Sequence, residues 1–368
     1  MNRTEELINQ IKYYADAYYS GKELISDKEY DAMIEELRVL DPENPLIAGM
    51  AGDEDEEIAS AAGYTKMKHS LTTGTLDKCM TVDAFKDWTR RHPSKEYQVS
   101  SKMDGAGFEL QYKDGQIIHL ISRGDGYTGF DKIKLVKYLK LPKELILKSE
   151  FSVRGEFELS NSAFKSHKCF ADKKNPRNAG SGLMNKKFEE YTDEEIDALQ
   201  YMKFFAYDVR GPEFDFDTKA EVFNFLSNLG FAVPENKVCH TVDEILEFRE
   251  KLSKERGTDN EEFAIDGIVI FENKLDTEDQ LEKVQKKATA LKFDLMIAES
   301  TLIGIDWSMS GASITPVGII EPVELDGTTV TRANLCNLNI INNHGIRIGD
   351  KIRIAKMGEI IPRILCKA

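Results

Sequence analysis

The motif Lys102-Met-Asp104-Gly105 directly precedes a stretch with the pattern of a β-strand. A lysine amine can attack a phosphorus or carbonyl centre once it has lost its proton. Apolar and polar residues alternate directly after this motif, as in a strand with one buried face. Alone the motif is a weak signal, because a charged residue near a strand is most often a solvated group or part of an ion pair.

Several other segments each contribute charged residues of the same kind. In the stretch 151–159, Arg154, Glu156 and Glu158 share one face, because the side chains of a strand alternate. Asp266 lies inside an apolar stretch, where a lone carboxylate is costly unless it is paired or binds a metal. Further cations of this kind are Arg123, Arg177 and Lys292. The combination suits phosphoryl transfer, in which cations neutralise phosphate charge and carboxylates hold Mg²⁺ and ribose hydroxyls.

The protonation state of Lys102 decides whether it can attack. The sequence predicts that several strands bring their charged groups to one cleft around this amine. We therefore expect neighbouring cations to lower the pKa of Lys102 and to leave part of it as the neutral amine.

Hydrophobic periodicity divides the chain into three predicted domains, at 1–66, 67–296 and 297–368. Helical spacing over residues 4–45 predicts a helical front module, with a capping box at Ser26-Asp-Lys-Glu29. The middle is mixed α+β, and the tail has short strands separated by glycine turns, which is typical of a small all-β barrel. Predicted strands of the middle include 151–159, 202–209 and 263–271, a hairpin turns at Asp114-Gly115, and helices lie around 219–229 and 243–254.

Charge and cysteine content limit the setting. The formal net charge of −15 argues against a generic nucleic-acid binder, although residues 343–368 hold six basic against two acidic residues. Five cysteines without a CxxC pair predict neither a disulfide framework nor a zinc site, and indicate a reducing cytoplasm. There is no apolar run long enough for a membrane span and no secretory signal, so we expect no membrane partner.

The order of the motifs resembles that of the NAD⁺-dependent DNA ligases over nearly the whole chain. The matching segments are KMDG (102–105), SRGDGYTG (122–129), VRGE (153–156), NPRN (175–178), IDGIVI (265–270) and LKF (291–293). The resemblance implies a nucleotidyltransferase (ATP-grasp-like ligase) domain, preceded by a small helical module and followed by an OB-fold barrel. It also implies DNA ligase activity in replication and repair.

The front module resembles the part of the family that binds the nicotinamide mononucleotide (NMN) half of NAD⁺. Aromatic rings can stack on the cationic nicotinamide, and carboxylates can balance its charge. The residues implied are Tyr18, Tyr19, Asp27, Tyr30 and Asp31, of which the last three recur at helical i, i+3, i+4 spacing. Thr75 and Leu76 resemble the adenosine-contacting stretch that follows.

By the same resemblance, Lys102 with its partner Asp104 forms a lysyl-AMP from NAD⁺ and releases NMN. The AMP then passes to the 5′-phosphate of a nick, and the 3′-hydroxyl seals the strand as AMP leaves. The implied contacts are Glu156 on the ribose, Glu156 and Asp266 on Mg²⁺ (or Mn²⁺), Arg123, Arg177 and Lys292 on phosphates, and Ser100, Tyr207 and Val269 around the adenine.

The tail resembles the family's OB-fold, a barrel that binds nucleic-acid backbones through a basic strand face. The implied partner is nicked double-stranded DNA, and the candidate phosphate contacts are Arg332, Arg347, Lys351, Arg353 and Lys356. Family members typically continue with a zinc finger, helix-hairpin-helix repeats and a BRCT domain. These do not follow here, so a second subunit that supplies them is one expectation.

Four positions depart from the family pattern. Ser100 stands where glutamate is usual, Tyr19 where histidine is usual, Asn185 where arginine is usual, and Phe271 where a phosphate-binding lysine is usual. Lys274 or another cation is expected to substitute at the last position. Two alternatives therefore stay open beside the ligase: a nucleotidyltransferase that uses ATP or GTP, and a weakened or split-ligase subunit that binds DNA or a partner with little turnover.

Overall fold

The computed structural model describes residues 3–19, 25, 33, 36–37, 40–41, 65–70, 75–173, 175–256, 258, 261–276, 279, 284–294, 296–310, 313–325, 328–357 and 361–368. The chain divides into two compact units, residues 1–254 with 261–291, and residues 255–260 with 292–368. Among the helices of the described part, none has the length and apolarity needed to cross a membrane.

The first unit combines helices with three sheets. Its strands are β1 (Lys66–Lys68), β2 (Thr75–Cys79), β3 (Tyr97–Met103), β4 (Ala106–Lys113), β5 (Gln116–Ser122), β6 (Thr128–Phe130), β7 (Phe151–Leu159), β8 (Met202–Arg210), β9 (Asn236–Cys239), β10 (Ile265–Glu272) and β11 (Val284–Lys292), whose last residue falls in the second unit. Its helices are α1 (Arg3–Tyr19), α2 (Val82–Arg91), α3 (Asn161–Ser166), α4 (Pro176–Asn185), α5 (Asp193–Ala198), α6 (Lys219–Asn228) and α7 (Val242–Glu255).

The strands predicted from alternating patterns appear as β4, β5, β7, β8 and β10, and the other strands of the three sheets were not predicted. One sheet has four strands in the order β5-β4-β7-β8, one has five in the order β2-β11-β10-β3-β9, and β1 pairs with β6. The predicted hairpin is confirmed: β4 and β5 pair through a turn in which Asp114 (φ 52°) and Gly115 (φ 78°) are both left-handed, as a two-residue hairpin turn requires. The predicted helix at the front is confirmed by α1, and those around 219–229 and 243–254 by α6 and α7.

A large apolar core lies against the four-stranded sheet. Phe108 and Leu110 of β4 pack there with Phe157 and Leu159 of β7, and each is at most 2% exposed. The opposite face of β7 carries the charged residues of the same strand, because its side chains alternate. The pattern of the sequence thus separates a buried apolar face from a face that is available for a site.

The chain crosses from one sheet to the other at the lysine motif. Strand β3, which contains Lys102, belongs to the five-stranded sheet, and β4 begins the four-stranded sheet directly after Asp104-Gly105. Gly105 is required at the crossing because strand β7 lies against it: a Cβ atom there would lie 2.6 Å from Cγ of Glu158 and closer still to the carbonyl oxygen of Phe157. The nucleophile candidate therefore lies where the two sheets meet.

The second unit contains the predicted small barrel. Its elements are β12 (Ile297–Ser310), β13 (Ser313–Leu325), β14 (Thr328–Asn334), α8 (Leu338–His344), β15 (Lys351–Met357) and β16 (Ile361–Lys367). The strands close in the order β12-β13-β14-β16-β15 around buried residues that include Ile320, Ile352 and Ile364. The sequence prediction of an all-β barrel at this end is confirmed.

A buried lysine holds one end of helix α4. The Nζ of Lys132 donates to the main-chain carbonyl oxygens of Asn185 (3.1 Å) and Lys186 (3.4 Å), and the residue is only 3% exposed. Burial lowers the pKa of Lys132 to about 7. Folding therefore favours the neutral amine, while the unfolded chain keeps the ordinary, higher lysine pKa.

This difference predicts how stability depends on pH. Between about pH 7 and 10.5 the unfolded chain binds the extra proton, so the free energy of unfolding rises with pH and falls again as pH returns to 7. We expect the Lys132 contribution to span about 2–4 kcal/mol over that range. Chemical denaturation of the parent and of Lys132→Met at several pH values measures it as the difference between the two curves. Lys134→Met, an exposed neighbour, is the control, and parallel curves for the parent and Lys132→Met would contradict the prediction.

Candidate active site

The amine of Lys102 forms an ion pair with a buried carboxylate. Its Nζ lies 2.7 Å from Oδ1 of Asp266, and the side chains are 21% and 3% exposed. In the pairing of β3 with β10, Lys102 lies opposite Gly267 and Met103 opposite Ile265, so the register skips Asp266. A bulge of this kind re-aims one side chain of a strand, and here it accompanies the contact between Asp266 and the lysine.

The prediction that cations lower the pKa of Lys102 is wrong. Burial, the largest single effect, acts in that direction, but the carboxylates of Asp266, Asp104 and Glu156 together outweigh it, and the pKa of Lys102 is raised. The physical reason is that the nearest charges are carboxylates, which favour the ammonium form. In this structure the amine is held protonated until something takes its proton.

Asp104 connects the lysine motif to helix α4. Its carboxylate Oδ1 lies 3.0 Å from Nε of Arg177, in the first turn of the helix. Asn175 caps that turn by accepting a hydrogen bond from the main-chain N–H of Asn178, and Pro176 occupies the first helical position, where its missing N–H costs nothing. The segment NPRN is therefore a helix start that presents Arg177 to the lysine motif.

Glu156 and Arg123 lie on either side of strand β4. Glu156 is opposite Gly107 in the pairing of β7 with β4, and the aliphatic part of Arg123 packs over the same glycine at 3.6–4.0 Å from where its Cβ would be. Burial raises the pKa of Glu156, an effect that the ammonium of Lys102 opposes. The geometry thus groups Lys102, Asp104, Glu156, Asp266, Arg123 and Arg177, and the roles predicted for these residues stay predictions.

The predicted adenine-contacting residues lie on strands that border this cluster. Ser100 of β3 and Val269 of β10 are directly opposite each other, and both are buried. Tyr207 of β8 has its ring 5.5 Å from the guanidinium of Arg154, and burial raises its pKa. Leu76 lies on β2, an edge strand of the five-stranded sheet that also contains Ser100. The backbone of Thr75 begins the same strand.

Other predicted contacts fall outside what the structure describes or in the other unit. Asp27, Tyr30 and Asp31 lie outside the described residues, and Tyr18 and Tyr19 are described only as the backbone end of α1. Lys292 ends β11 at the boundary of the second unit. The roles assigned to these residues stay predictions.

Phe271, which replaces a lysine of the family pattern, has a different cation beside it. The Nζ of Lys219 lies 4.8 Å from the centre of the Phe271 ring and 2.8 Å from Oδ1 of Asp208. Lys219 is 3% exposed. A buried cation therefore does lie at this position, but it already pairs with a carboxylate, and Lys274 lies in an isolated bridge with Thr218.

Five residues of the barrel are candidates for contacts with DNA, and two of them form salt bridges on the surface. Nη1 of Arg332 lies 2.8 Å from Oδ2 of Asp306, and Nε of Arg353 lies 3.1 Å from Oε1 of Glu299, with all four side chains about half exposed. Exposed pairs of this kind contribute little to stability and can exchange partners. The other three candidates are Arg347 and Lys351, which are exposed, and Lys356, which is half-buried.

Two contacts near the cluster were not assigned from the sequence. One is a buried pair: Nδ1 of His69 lies 2.8 Å from Oε2 of Glu109, and Nε2 of the same ring lies 3.1 Å from the carbonyl oxygen of Arg123. It ties the segment before β2 to the turn that carries Arg123. No spacing in the sequence signals a contact between residues 40 positions apart.

The other is Glu158, whose Oε1 accepts a hydrogen bond from the main-chain N–H of Asp104 at 2.5 Å. Its Oε2 is buried without a hydrogen-bond partner among the described residues. Burial, with Glu156 next in effect, raises the pKa of Glu158 well above its usual value. The shared face with Glu156 was visible in the sequence, but the hydrogen bond to the lysine motif was not.

Exchanging Glu158 tests whether this hydrogen bond orients the lysine motif. Glu158→Gln keeps a neutral oxygen acceptor of the same shape, so we expect the lysyl-AMP formation that the ligase resemblance implies to stay close to that of the parent. Glu158→Leu removes the acceptor, and we expect kcat for that step to fall roughly tenfold, the equivalent of one hydrogen bond, with little change in KM. Single-turnover kinetics measure both, and equal rates for the Gln and Leu variants would contradict the role.

Comparison with known proteins identifies the family. The model of the NAD-dependent DNA ligase adenylation domain matches residues 61–295, and that of the NAD-dependent DNA ligase OB-fold domain matches residues 301–367. The chain belongs to the NAD-dependent DNA ligase family. The predicted family, its adenylation domain and the OB-fold barrel that follows it are confirmed.

Individual ligases match over almost the whole chain but over only part of their own length. The DNA ligase of Treponema denticola is 37% identical over 380 residues, which are 98% of this chain and 56% of the relative. That of Thermosipho africanus is 31% identical over 382 residues, with the same coverage. The chain therefore spans about half the length of the curated ligases it matches. A solved Lig E DNA ligase covers 82% of this chain and 100% of its own at 13% identity and a TM-score of 0.46.

Proposed function

We propose that this chain carries the adenylylation chemistry of an NAD⁺-dependent DNA ligase. The observation that carries the proposal is the ion pair of Lys102 with Asp266, grouped with Asp104, Glu156 and Arg177 at the crossing of two sheets. In the reaction, Nζ of Lys102 forms a bond to the α-phosphorus of NAD⁺. The bond from that phosphorus to the bridging oxygen breaks, and NMN leaves.

The raised pKa of Lys102 makes proton removal part of this step. The ammonium has no lone pair for attack, so its proton must leave before or as the N–P bond forms. The carboxylate of Asp266 is 2.7 Å from Nζ and is the acceptor that the geometry favours. Asp266 thus acts as general base for Lys102 in the proposed reaction.

Cationic side chains would stabilise the phosphates of NAD⁺. We assign this role to Arg123, Arg177 and Lys292, since charge on the phosphate oxygens grows as the leaving group departs. Arg177 pairs with Asp104, so binding the substrate requires it to share or exchange that partner. Glu156 is assigned to the ribose, and Ser100, Val269 and Tyr207 to the adenine.

The front of the chain is assigned to the NMN half. Tyr18, Tyr19 and Tyr30 would stack on the nicotinamide, with Asp27 and Asp31 as its polar partners. Thr75 and Leu76 would contact the adenosine. These assignments rest on the motif pattern of the family.

Magnesium fits this site as an ion shared with the substrate. In the described stretches, no group of three or more His, Cys, Asp or Glu side chains lies where it could hold a metal by itself. Mg²⁺ is usually held by one or two carboxylates together with substrate phosphates and water. Glu156 and Asp266 are the carboxylates that fit, and a bound ion would neutralise phosphate charge.

The later steps require nicked DNA. The AMP passes from Lys102 to the 5′-phosphate of the nick, and the 3′-hydroxyl then displaces AMP to close the strand. Arg332, Arg347, Lys351, Arg353 and Lys356 of the barrel are assigned to the DNA backbone. Because Arg332 and Arg353 have exposed carboxylate partners, phosphates can replace those partners at small cost.

A second candidate is a DNA- or partner-binding subunit with little turnover of its own. It is favoured by Phe271 and Asn185, which stand where the family pattern has cations, and by the pairing of Lys219 with Asp208 rather than with an open site. This candidate predicts DNA or partner binding without a covalent adduct on Lys102.

Incubation with labelled NAD⁺ or labelled ATP tests the proposal. We expect a covalent adduct from NAD⁺ labelled in its adenylate half, and sealing of a nicked duplex at low salt. Label that appears only from ATP would overturn the assignment of NAD⁺. DNA binding without any adduct would favour the second candidate.

A further inference from the structure

Three exposed lysines form a row on one edge of a short spiral in the first unit. The spiral begins at the 3₁₀ turn Ile133–Leu135, and the main-chain N–H groups of Val136, Tyr138 and Leu139 each donate to the carbonyl oxygen three residues earlier. Side chains three residues apart eclipse in such a spiral. The row consists of Lys134, Lys137 and Lys140, all of them exposed.

The spiral is anchored from its other side. Leu135 and Leu139 are each 1% exposed and pack into the large core. The backbone is therefore fixed, and the lysines cannot turn inward without breaking that packing. With a rise of about 2.0 Å per residue, the row spans about 12 Å.

Aromatic rings hold these ammonium groups without neutralising them. The Nζ of Lys137 lies 4.6 Å from the ring centre of Tyr138, and those of Lys134 and Lys137 lie 5.5 and 5.6 Å from that of Phe188. Lys140 lies 5.6 Å from the ring of Tyr201. Cation–π contacts restrict the position of a lysine but leave its charge in place.

The row is a local excess of positive charge on an acidic chain. Residues 132–148 contain six lysines and one acidic residue, whereas the whole chain has a net charge of −15. Lys134 pairs with Glu189 at 3.1 Å, but in the residues that the structure describes Lys137 and Lys140 form no salt bridge. Like charges aligned at this spacing repel one another, so the arrangement suits an anionic partner.

Helix α4 connects this row to the proposed site of chemistry. Lys132, just before the spiral, donates to the carbonyl oxygens at the end of α4, and Arg177 in its first turn pairs with Asp104. Arg177 and Asn185 are eight positions apart in the helix, which is about 12 Å along the axis. A partner that reaches the lysine motif is therefore within reach of the row.

We propose that Lys134, Lys137 and Lys140 bind consecutive phosphates of one strand of duplex DNA beside the nick. The inference rests on the proposed ligase function and extends its DNA contacts beyond the barrel to the first unit. A rise of 3.4 Å per nucleotide in each strand means that a row of about 12 Å spans three to four nucleotides. Contacts with phosphates do not depend on the base sequence. They therefore hold the duplex in register without selecting a particular sequence.

The test compares two triple variants of the full chain on a fluorescently labelled nicked duplex. One is K134Q/K137Q/K140Q. The other, K86Q/K237Q/K254Q, removes the same charge from exposed lysines on α2, β9 and α7. Equilibrium binding is measured across a series of salt concentrations, and lysyl-AMP formation from NAD⁺ is measured on the same proteins without DNA.

For the row variant we expect affinity at about 0.1 M salt to fall roughly tenfold or more. The slope of log K against log salt should become shallower by about 2–3, since each lost phosphate contact removes about 0.9. Its lysyl-AMP formation should equal that of the parent. A slope that is unchanged, or that changes equally in the control variant, overturns the role of the row. Absence of lysyl-AMP from the parent itself would instead overturn the proposed function, and the binding slopes would still decide on the row.

Discussion

Replacing Lys102 with alanine is expected to abolish the covalent adenylate, with no adduct of one AMP on the intact protein after incubation with NAD⁺. The reason is that Lys102 supplies the only atom in the proposed reaction that forms the new bond to phosphorus. Intact-protein mass spectrometry measures the adduct directly. Lys113→Ala, on β4 but exposed at the other end of the strand, is the control and should keep it.

Loss of Lys102 also leaves Asp266 buried without its cation, a change that commonly costs about 3–5 kcal/mol of stability. Lys102→Arg separates this effect from chemistry. The guanidinium keeps the positive charge beside Asp266, but it does not lose a proton in proteins and so offers no nucleophile. We expect it to unfold at nearly the temperature of the parent and to form no adduct. An adduct on either Lys102 variant would show that another residue is the nucleophile.

Replacing Gly105 with alanine is the second change with a large expected effect. The added Cβ would lie 2.6 Å from Cγ of Glu158 and closer to the carbonyl oxygen of Phe157, which is part of the β4–β7 ladder and cannot move freely. We expect a loss of about 2–4 kcal/mol in the free energy of unfolding, as for overpacking against fixed structure. We also expect lysyl-AMP formation to fall by about a hundredfold or more, because the turn fixes Lys102 against Asp266.

Gly182→Ala provides the matched control for this change. Gly182 lies within α4, and nothing approaches within 4 Å of its Cβ position. Alanine in a helix interior is favoured over glycine by roughly 0.5–1 kcal/mol, so this variant should be as stable as the parent or more so. Urea denaturation and single-turnover adenylylation measure both proteins. Equal behaviour of Gly105→Ala and Gly182→Ala would contradict the predicted close approach of β7.

The sequence predicted those parts of the fold that follow from local periodicity. Strand β7 coincides with the alternating stretch Phe151–Leu159, and the β4–β5 hairpin turns at Asp114-Gly115, because both patterns are specified within a few residues. That Asp266 needs a partner was also predictable, since a lone carboxylate in an apolar strand is costly, but the sequence did not say that this partner is Lys102. The barrel was recognisable from its short strands and glycine turns.

Contacts between distant residues were not predictable in the same way. The pKa of Lys102 moves opposite to the prediction because the nearest charge is Asp266, 164 positions later, and no pattern ranks it above Arg123 or Arg177. The position of Lys219 over Phe271 depends on where α6 packs, and the hydrogen bond from Asp104 to Glu158 depends on how closely β7 approaches. Periodicity says which face a side chain occupies, but not which neighbour it meets.

The crossing of the chain at Asp104-Gly105 has a consequence for dissecting this protein. The amine and its base belong to one sheet, whereas Glu156 belongs to the other, and the chain passes between these sheets twice, at Asp104-Gly105 and again between β8 and β9. A cut at Asp104-Gly105 would leave Lys102 on one fragment and both Asp266 and Glu156 on the other. Neither fragment would contain all the groups of the proposed reaction. A recombination event that keeps the activity must therefore transfer both sheets together.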